Sequence, residues 1–254
     1  MRIVRTAAEL RTSLEPAREI GLVPTMGAFH AGHLALFRAA RAENEVVVVS
    51  LFVNPAQFDS ADDLAAYPRD EERDARIAED AGVDVLFAPP VDELYPPGYQ
   101  TWVEVEGLSR GLEGAARPGH FRGVATVCCK LFNLVRPRRG YFGQKDAQQV
   151  AVVRRMARDL NLDVELRVLP TVRDADGLAV SSRNVLLSPA ERERALALPR
   201  ALATRDPARA REFLDGVAVD YLEVADLEPR VLAGAIRIGR TRLIDNVVLE
   251  GDTE

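Results

Sequence analysis

The chain has 254 residues, of which 47% are apolar and 28% are charged, and its formal net charge is −6. It is long enough to bury a sizeable core, and no apolar run reaches the roughly 18 residues of a membrane helix. We therefore expect a cytoplasmic protein that contacts neither membrane nor nucleic acid. The adjacent cysteines Cys128 and Cys129 agree with a reducing compartment, because neighbouring thiols make a poor disulfide framework.

Strand-like and helix-like segments alternate along the first two thirds of the chain, which predicts an α/β fold with a doubly wound parallel sheet. Thr6 and Glu9 form a capping-box pattern that opens a first helix. The expected strands are 20–25, 45–53, 84–89, 101–107, 140–143 and 164–172. The expected helices are 33–43, 70–82, 124–135 and 147–162.

Three strand-like segments with little helix between them follow at 219–228, 230–239 and 241–250. This change from alternating strands and helices to consecutive strands predicts a second, small α+β domain. We place the boundary in the turn "RDADG", so that residues 1–173 form the main domain and residues 174–254 the C-terminal one.

The stretch "FHAGH" holds two of the chain's three histidines where a strand passes into a helix. The free N–H groups of a helix N-terminus bind anions. His30 and His33 lie nearly one turn apart and add imidazole donors on the same side, while Gly32 leaves room for a ligand near the backbone. The alternative is a pair of surface or capping histidines.

The stretch "YFGQKDAQQ" occupies a second junction of strand and helix, where ligands bind in such sheets. Lys145 is one of only two lysines against 31 arginines, which suggests a position that needs a compact ammonium. Asp146 could cap the helix or touch a metal, and Gln149 faces the same side. A capped helix with a surface lysine is the alternative.

Other nucleotide and hydrolase signatures are missing or incomplete. The sequence contains neither G-x-G-x-x-G nor a Walker A lysine. "GLSRG", residues 107–111, matches the hydrolase elbow, but no helix pattern follows it and no Asp lies between Ser109 and His120. We therefore reject a hydrolase.

Six motifs occur in order over residues 23–184: "PTMGAFHAGH", "FVNPAQF", "YPRD", "LEGAARPGHFRGV", "FGQKDAQQ" and "DGLAVSSRN". Together they resemble the motif series of the pantothenate synthetase (pantoate–β-alanine ligase) family. The resemblance implies a Rossmann-like domain that binds ATP and pantoate, a small C-terminal lid domain and a homodimer. It also implies that pantoate and ATP form a pantoyl adenylate with Mg²⁺, from which β-alanine displaces AMP.

By match to these motifs, His33, Lys145 and His30 are the expected catalytic residues, and Asp74 and Asp146 the expected metal ligands. The residues expected to bind pantoate or β-alanine are Asn54, Gln57, His120 and Gln149. Those expected to bind ATP are Met26, Gly27, His30, Gly32, His33, Gly143, Gln144, Lys145, Asp146, Val172, Val180, Ser181, Ser182 and Arg183. The segment after residue 190 is shorter than is usual in the family, which puts closure of the lid in question.

Two other interpretations stay open at this point. Residues 107–158 carry eleven Arg and Lys against two acids. A nucleotide-binding module that contacts RNA and has lost catalysis would explain this basic stretch, as would a solvated face. A ligase with the same mechanism could also act on another hydroxy acid or amine.

Overall fold

The computed structural model describes residues 1–14 and 19–249, and the chain divides into two compact units. The first unit comprises Met1–Phe142 and Val152–Leu169, and the second comprises Gly143–Ala151 and Pro170–Glu254. The predicted boundary at residue 173 stays a prediction. One boundary in the sequence gives two continuous domains, whereas in the structure Gly143–Ala151 belongs to the same unit as the C-terminal residues. Residues 250–254 of the predicted second domain lie outside the described residues.

The elements alternate much as the sequence predicts. The strands are β1 Arg2–Val4, β2 Ile20–Thr25, β3 Val46–Leu51, β4 Val85–Phe87, β5 Arg139–Gly143, β6 Glu165–Leu169, β7 Ala218–Ala225, β8 Val231–Ile238 and β9 Thr241–Val248. The α-helices are α1 Ala7–Leu14, α2 Ala31–Glu43, α3 Ala61–Ala66, α4 Glu71–Asp80, α5 Val91–Leu94, α6 Leu112–Ala116, α7 His120–Val135, α8 Ala147–Asp159, α9 Pro189–Ala195, α10 Ala197–Ala203 and α11 Pro207–Phe213. Short 3-10 helices lie at Pro55–Gln57, Gln144–Asp146 and Ser182–Leu186.

The first unit is built on a parallel sheet with helices between its strands. Among the described residues this sheet has six strands in the order β1-β4-β3-β2-β5-β6. Chain order therefore runs outward in one direction from β2 through β3 to β4, and in the other direction from β5 to β6. In doubly wound sheets, ligands bind beyond the carboxyl ends of the strands where the direction reverses. Here that point lies between β2 and β5, and the doubly wound prediction is confirmed.

The predicted strand at 101–107 is wrong, because these residues belong to no strand of the described structure. The backbone of this segment bonds to a helix side chain instead. Val103 N–H donates to Thr126 Oγ1 at 3.0 Å, and the same hydroxyl donates to Val103 O at 3.5 Å. Alternating apolar and polar residues are typical both of a half-exposed strand and of an extended segment such as this one. The pattern does not show whether another strand lies beside the segment to form a sheet.

The core of the first unit packs α2 and α4 against the sheet. Phe29, Phe37 and Tyr141 are almost completely buried there with Val47 and Leu86. The rings of Phe29 and Phe37 meet edge to face with their centroids 5.0 Å apart. This packing fixes the start of α2 against the end of β2.

The second unit contains an antiparallel sheet in the order β7-β8-β9 with α10 and α11 packed nearby. Its core includes Leu198, Leu202, Leu222, Leu232 and Ile236, all at most 5% exposed. The predicted small α+β C-terminal domain is thus confirmed as a fold. Over the described parts of both units, no helix is both long and apolar enough to cross a bilayer.

Candidate active site

The loop after β2 makes a tight turn that a buried carboxylate holds in place. Gly27 and Ala28 have φ angles of +91° and +54°, in the left-handed region. A Cβ on Gly27 would lie 2.8 Å from Leu51 Cδ1 and 2.9 Å from Asp74 Oδ2, so only glycine fits. Asp74, 1% exposed, accepts hydrogen bonds from Ala28 N–H at 2.7 Å and Phe29 N–H at 2.9 Å.

Arg73 completes the hold on this loop. Its Nη1 lies 3.3 Å from Asp74 Oδ1, and its Nη2 donates to Phe29 O at 3.0 Å. A buried carboxylate is tolerated only when donors compensate its charge, and here both oxygens accept N–H bonds. The sequence predicts Asp74 as a metal ligand, and that stays a prediction; the geometry gives this carboxylate the task of shaping the loop.

His30 and His33 cap α2 reciprocally. His30, the N-cap residue, accepts from Gly32 N–H on its Nδ1 at 3.2 Å, while His33 Nδ1 accepts from His30 N–H at 3.3 Å. The two ring centroids are 4.1 Å apart. An imidazole nitrogen that accepts a hydrogen bond carries no proton, so these contacts assign the proton of each neutral ring to Nε2. Both histidines thus cap α2. This capping leaves each Nε2–H compatible with a role as a donor, and the predicted role in ATP binding stays a prediction.

Two amides and a histidine lie together where α7 packs on the 3-10 helix Pro55–Gln57. Asn54 Nδ2 donates to Gln57 Oε1 at 2.9 Å and to Gly123 O at 3.1 Å. A Cβ on Gly123 would lie 2.3 Å from Ala56 O, so the contact requires glycine. Asn54 and Gln57 are 1% and 7% exposed. The structure thus brings together the predicted substrate residues Asn54, Gln57 and, as described next, His120.

His120 is neutral and has one defined tautomer. Its Nδ1–H donates to Gln57 O at 2.8 Å, and its Nε2 accepts from Arg117 Nη1 at 3.3 Å. Burial, followed by the nearby Arg117 guanidinium, lowers the pKa of His120 to about 4. Arg117 in turn bonds to Gln57 O at 3.3 Å and pairs with Asp59 at 3.2 Å. Sequence reasoning misses Arg117 as a site residue, although it stands three positions before His120 within one of the six motifs.

In the second unit, the segment that carries Lys145 is bonded to β9. Asn246 Nδ2 donates to Gln144 O and Lys145 O, both at 2.9 Å, and Gln144 Nε2 donates to Asn246 Oδ1 at 3.1 Å. Lys145 Nζ lies 3.5 Å from Asp146 Oδ1, and these side chains are 19% and 45% exposed. Gln149 is half-buried.

A short hairpin brings the remaining predicted ATP residues of the second unit together. Val180 N–H donates to Val172 O at 2.9 Å, and Arg173 pairs with Ala179 in an antiparallel bridge. The turn of the hairpin contains Gly177 with φ +92°. Beyond it, Ser181 Oγ accepts from Arg183 N–H at 3.2 Å and opens the 3-10 helix Ser182–Leu186.

The predicted site residues therefore form four local groups. In the first unit they are the 26–33 loop with Asp74, and Asn54 with Gln57 and His120. In the second unit they are the Lys145 segment and the 172–183 hairpin. The two predicted metal ligands, Asp74 and Asp146, belong to different units. Within the described residues, no three His, Cys, Asp or Glu side chains are grouped so as to hold a metal ion.

The doubly wound α/β sheet, with a histidine-capped helix after β2 at the point where chain order reverses, belongs to the Rossmann-like class, in which nucleotides commonly bind at such a point. The family model described as pantoate-beta-alanine ligase matches residues 2–248. The chain belongs to the pantoate–β-alanine ligase family, and the reaction it catalyses joins pantoate to β-alanine.

Relatives and solved structures agree with this assignment over nearly the whole chain. Pantothenate synthetase of Heliobacterium modesticaldum is 55% identical over 98% of this chain and 100% of its own length, and that of Thermotoga neapolitana is 50% identical with the same coverage. The crystal structure of pantothenate synthetase from Thermus thermophilus has a TM-score of 0.93 at 48% identity and covers 98% of this chain and 99% of its own.

A ligand-bound relative is also similar. The pantoate-beta-alanine ligase of Francisella tularensis, in a structure described as complexed with beta-gamma ATP and beta-alanine, has a TM-score of 0.86 at 34% identity. It covers 98% of this chain and 97% of its own.

Proposed function

We propose that this enzyme joins pantoate to β-alanine through a pantoyl adenylate. A carboxylate oxygen of pantoate attacks the α-phosphorus of ATP, and the bond to the bridging oxygen breaks to release pyrophosphate. The amine of β-alanine then attacks the acyl carbon, the acyl–oxygen bond breaks to release AMP, and the amine loses a proton. The protein supplies no nucleophile in this scheme, because the substrates supply both.

The observation that carries the proposal is the reciprocal histidine cap at the start of α2. It holds two neutral imidazoles 4.1 Å apart with their hydrogens on Nε2, beside the N-terminus of a 13-residue helix. Preorganised N–H donors of this kind stabilise charge that develops on phosphate oxygens. We assign His33 and His30 to the ATP phosphates, and Met26, Gly27 and Gly32 to the backbone that approaches them.

Lys145 supplies a positive charge to the same reaction. It follows β5 by two residues, and β5 neighbours β2 in the sheet at the point where chain order reverses. A compact ammonium binds phosphate as a point charge. Gly143, Gln144, Val172 and Val180–Arg183 complete the proposed ATP-binding set.

Pantoate and β-alanine are assigned to the group around Gln57. Asn54 donates to Gln57 Oε1 and the neutral His120 ring donates to Gln57 O, so these two residues hold Gln57 in place. The amide nitrogen of Gln57 is the proposed hydrogen-bond donor to the substrate. The Arg117 guanidinium beside them offers the cation that a carboxylate prefers. Gln149 is the remaining residue that we propose for these substrates.

Mg²⁺ is proposed to accompany ATP. This ion usually keeps several waters and binds through phosphates with one or two carboxylates. Asp146 fits that requirement, because its carboxylate is about half exposed. Asp74 fits less well as a direct ligand, because the 26–33 loop and Arg73 already occupy both oxygens. When bound, the ion would neutralise phosphate charge.

We also propose a cytoplasmic homodimer. The two cysteines are free thiols, as expected in a reducing compartment. Trp102 is 41% exposed beside the Arg122 guanidinium, and large aromatic and arginine side chains are enriched at protein interfaces. Light scattering of the purified protein measures the mass of the assembly.

Isotope transfer tests the proposed intermediate directly. With pantoate labelled by ¹⁸O in its carboxylate, the adenylate route places one label in AMP, and pyrophosphate appears before β-alanine is added. Mass spectrometry of AMP and a pyrophosphate assay measure both. Label in inorganic phosphate with ADP as product would instead show an acyl phosphate, and unlabelled AMP would exclude attack by the carboxylate.

A further inference from the structure

We propose that Asp245 and Asn246, consecutive residues of β9, are positioning residues that hold the Lys145 segment and the 172–183 hairpin in their working arrangement. The inference rests on the function proposed above for Lys145. Neither residue is among those that the motifs identify. Both are buried, with 3% and 5% of their surface exposed, and both lie in β9, a strand of the C-terminal sheet.

Asn246 fixes the backbone on which Lys145 stands. Its amide nitrogen donates to two consecutive carbonyls, Gln144 O and Lys145 O, each at 2.9 Å. Its amide oxygen accepts from the Gln144 side chain at 3.1 Å. Both amide hydrogens and the oxygen therefore have partners in one short segment, about a hundred residues earlier in the chain. The orientation of the two peptide groups that flank Lys145 is set by this side chain.

Asp245 fixes the hairpin in the same way. It accepts two hydrogen bonds from the Arg173 guanidinium, at 2.7 and 3.2 Å, and a third from Asn246 N–H at 2.8 Å. Arg173 also donates to Gly177 O at 3.2 Å, across the turn of the hairpin. A paired, bidentate guanidinium–carboxylate contact defines orientation as well as distance. Val172 and Val180 form the bonded pair of this hairpin. They are therefore held by β9, the same strand that holds the Lys145 segment.

This arrangement matters because phosphoryl chemistry depends on the placement of its cations. An error of about 1 Å in a positioning group can cost on the order of a hundredfold in rate. Loss of the Asn246 amide would leave the charge of the Lys145 ammonium unchanged. It would remove the hydrogen bonds that fix the backbone carbonyls of Gln144 and Lys145. We therefore expect the effect on the turnover number kcat rather than on binding of pantoate.

The test compares Asn246→Ala and Asp245→Asn with a matched control, Asp220→Asn. Asp220 lies on β7 of the same sheet and pairs with Arg237 and Arg242 at 2.9 and 2.6 Å, so its substitution also removes a carboxylate held by guanidinium groups. Steady-state kinetics give kcat and the KM for each substrate, and thermal unfolding reports on folding.

A second measurement is independent of activity. The chain has only two lysines, so protein grown on lysine labelled with ¹³C at Cε gives two NMR signals, which Lys130→Arg assigns. Lys130 lies with its Nζ 4.7 Å from the Tyr99 ring centroid and serves as the internal reference. We expect Asn246→Ala to shift or broaden the Lys145 signal, with or without ATP, and to leave the Lys130 signal unchanged.

The proposal predicts at least a tenfold fall in kcat for Asn246→Ala and Asp245→Asn, with the KM for pantoate within twofold and Asp220→Asn close to the unsubstituted enzyme. A folded Asn246→Ala protein with kcat within twofold and an unmoved Lys145 signal would overturn it, as would equal losses in Asp220→Asn. Should Asn246→Ala not fold, Asn246→Ser takes its place. Full activity of Lys145→Ala would instead refute the function proposed for Lys145, whereas the NMR signal still reports on Asn246.

Discussion

Replacing Asp74 by Asn tests whether this buried carboxylate holds the 26–33 loop. The substitution keeps the size of the side chain but removes its charge, and it turns one accepting oxygen into a donating nitrogen. One of the N–H groups of Ala28 and Phe29 then faces a donor, and Arg73 loses its ion pair with residue 74 while keeping its bond to Phe29 O.

The magnitude follows from these contacts. Hydrogen bonds to a charged group contribute roughly 1.5–3 kcal/mol each and neutral ones about 1 kcal/mol. Losing one bond outright and weakening the other lowers the free energy of unfolding by about 3 kcal/mol, a large share of the roughly 5–15 kcal/mol typical of a domain. Because the affected turn carries His30 and His33, the KM for ATP should rise as well.

Urea denaturation with a constant slope m measures the stability change, and steady-state kinetics measure the KM. Asp70→Asn is the matched control. Asp70 caps the same helix, α4, by accepting from Arg73 N–H at 3.0 Å, and Asn caps helices as well as Asp does. A loss below about 0.5 kcal/mol in Asp74→Asn, or an equal loss in the control, would show that the carboxylate does not hold the loop.

Three further outcomes are expected. The folded-state pKa of His120 is about 4 rather than 6.5, so between these values the unfolded chain binds a proton that the folded chain does not. The free energy of unfolding should therefore fall by up to about 3 kcal/mol from pH 6.5 to 4. Urea titrations over this pH range measure the fall, which should be smaller in His120→Asn. Gly123→Ala should destabilise by about 2 kcal/mol or more, since its Cβ would meet Ala56 O at 2.3 Å, whereas Gly111→Ala, with open space around the Cβ, should be nearly neutral in thermal unfolding. Lys145→Ala should slow adenylate formation about a hundredfold in single-turnover pyrophosphate release, and a normal rate would remove Lys145 from the mechanism.

Much of the fold can be predicted from the sequence because its signals are local. The apolar runs of β2 and β3 and the start of α4 lie where the sequence predicts them. The segment 101–107 shows the limit, since its alternation is equally compatible with bonding to a helix hydroxyl. The alternation of apolar and polar residues indicates which side chains are buried. It does not indicate which groups form hydrogen bonds with the backbone.

The residues around the site divide in the same way. His30, His33 and Lys145 stand out through composition and position, so motifs find them. Asp245 and Asn246 act about 70 and 100 residues away from their partners, and their neighbours in the sequence give no indication of it. Such long-range support is visible only in three dimensions.

The choice of imidazole to begin α2 has an electrostatic consequence. Most helices open with a hydroxyl or carboxylate, and the first turn often carries further acids. Here the first turn contains no acid, and the capping groups are neutral rings. A carboxylate at this place would satisfy the backbone equally well but repel a polyphosphate, whereas a ring with two nitrogens can accept from the helix through one and donate outward through the other. Helix initiation and attraction of an anion thus fall to the same pair of side chains without opposing each other.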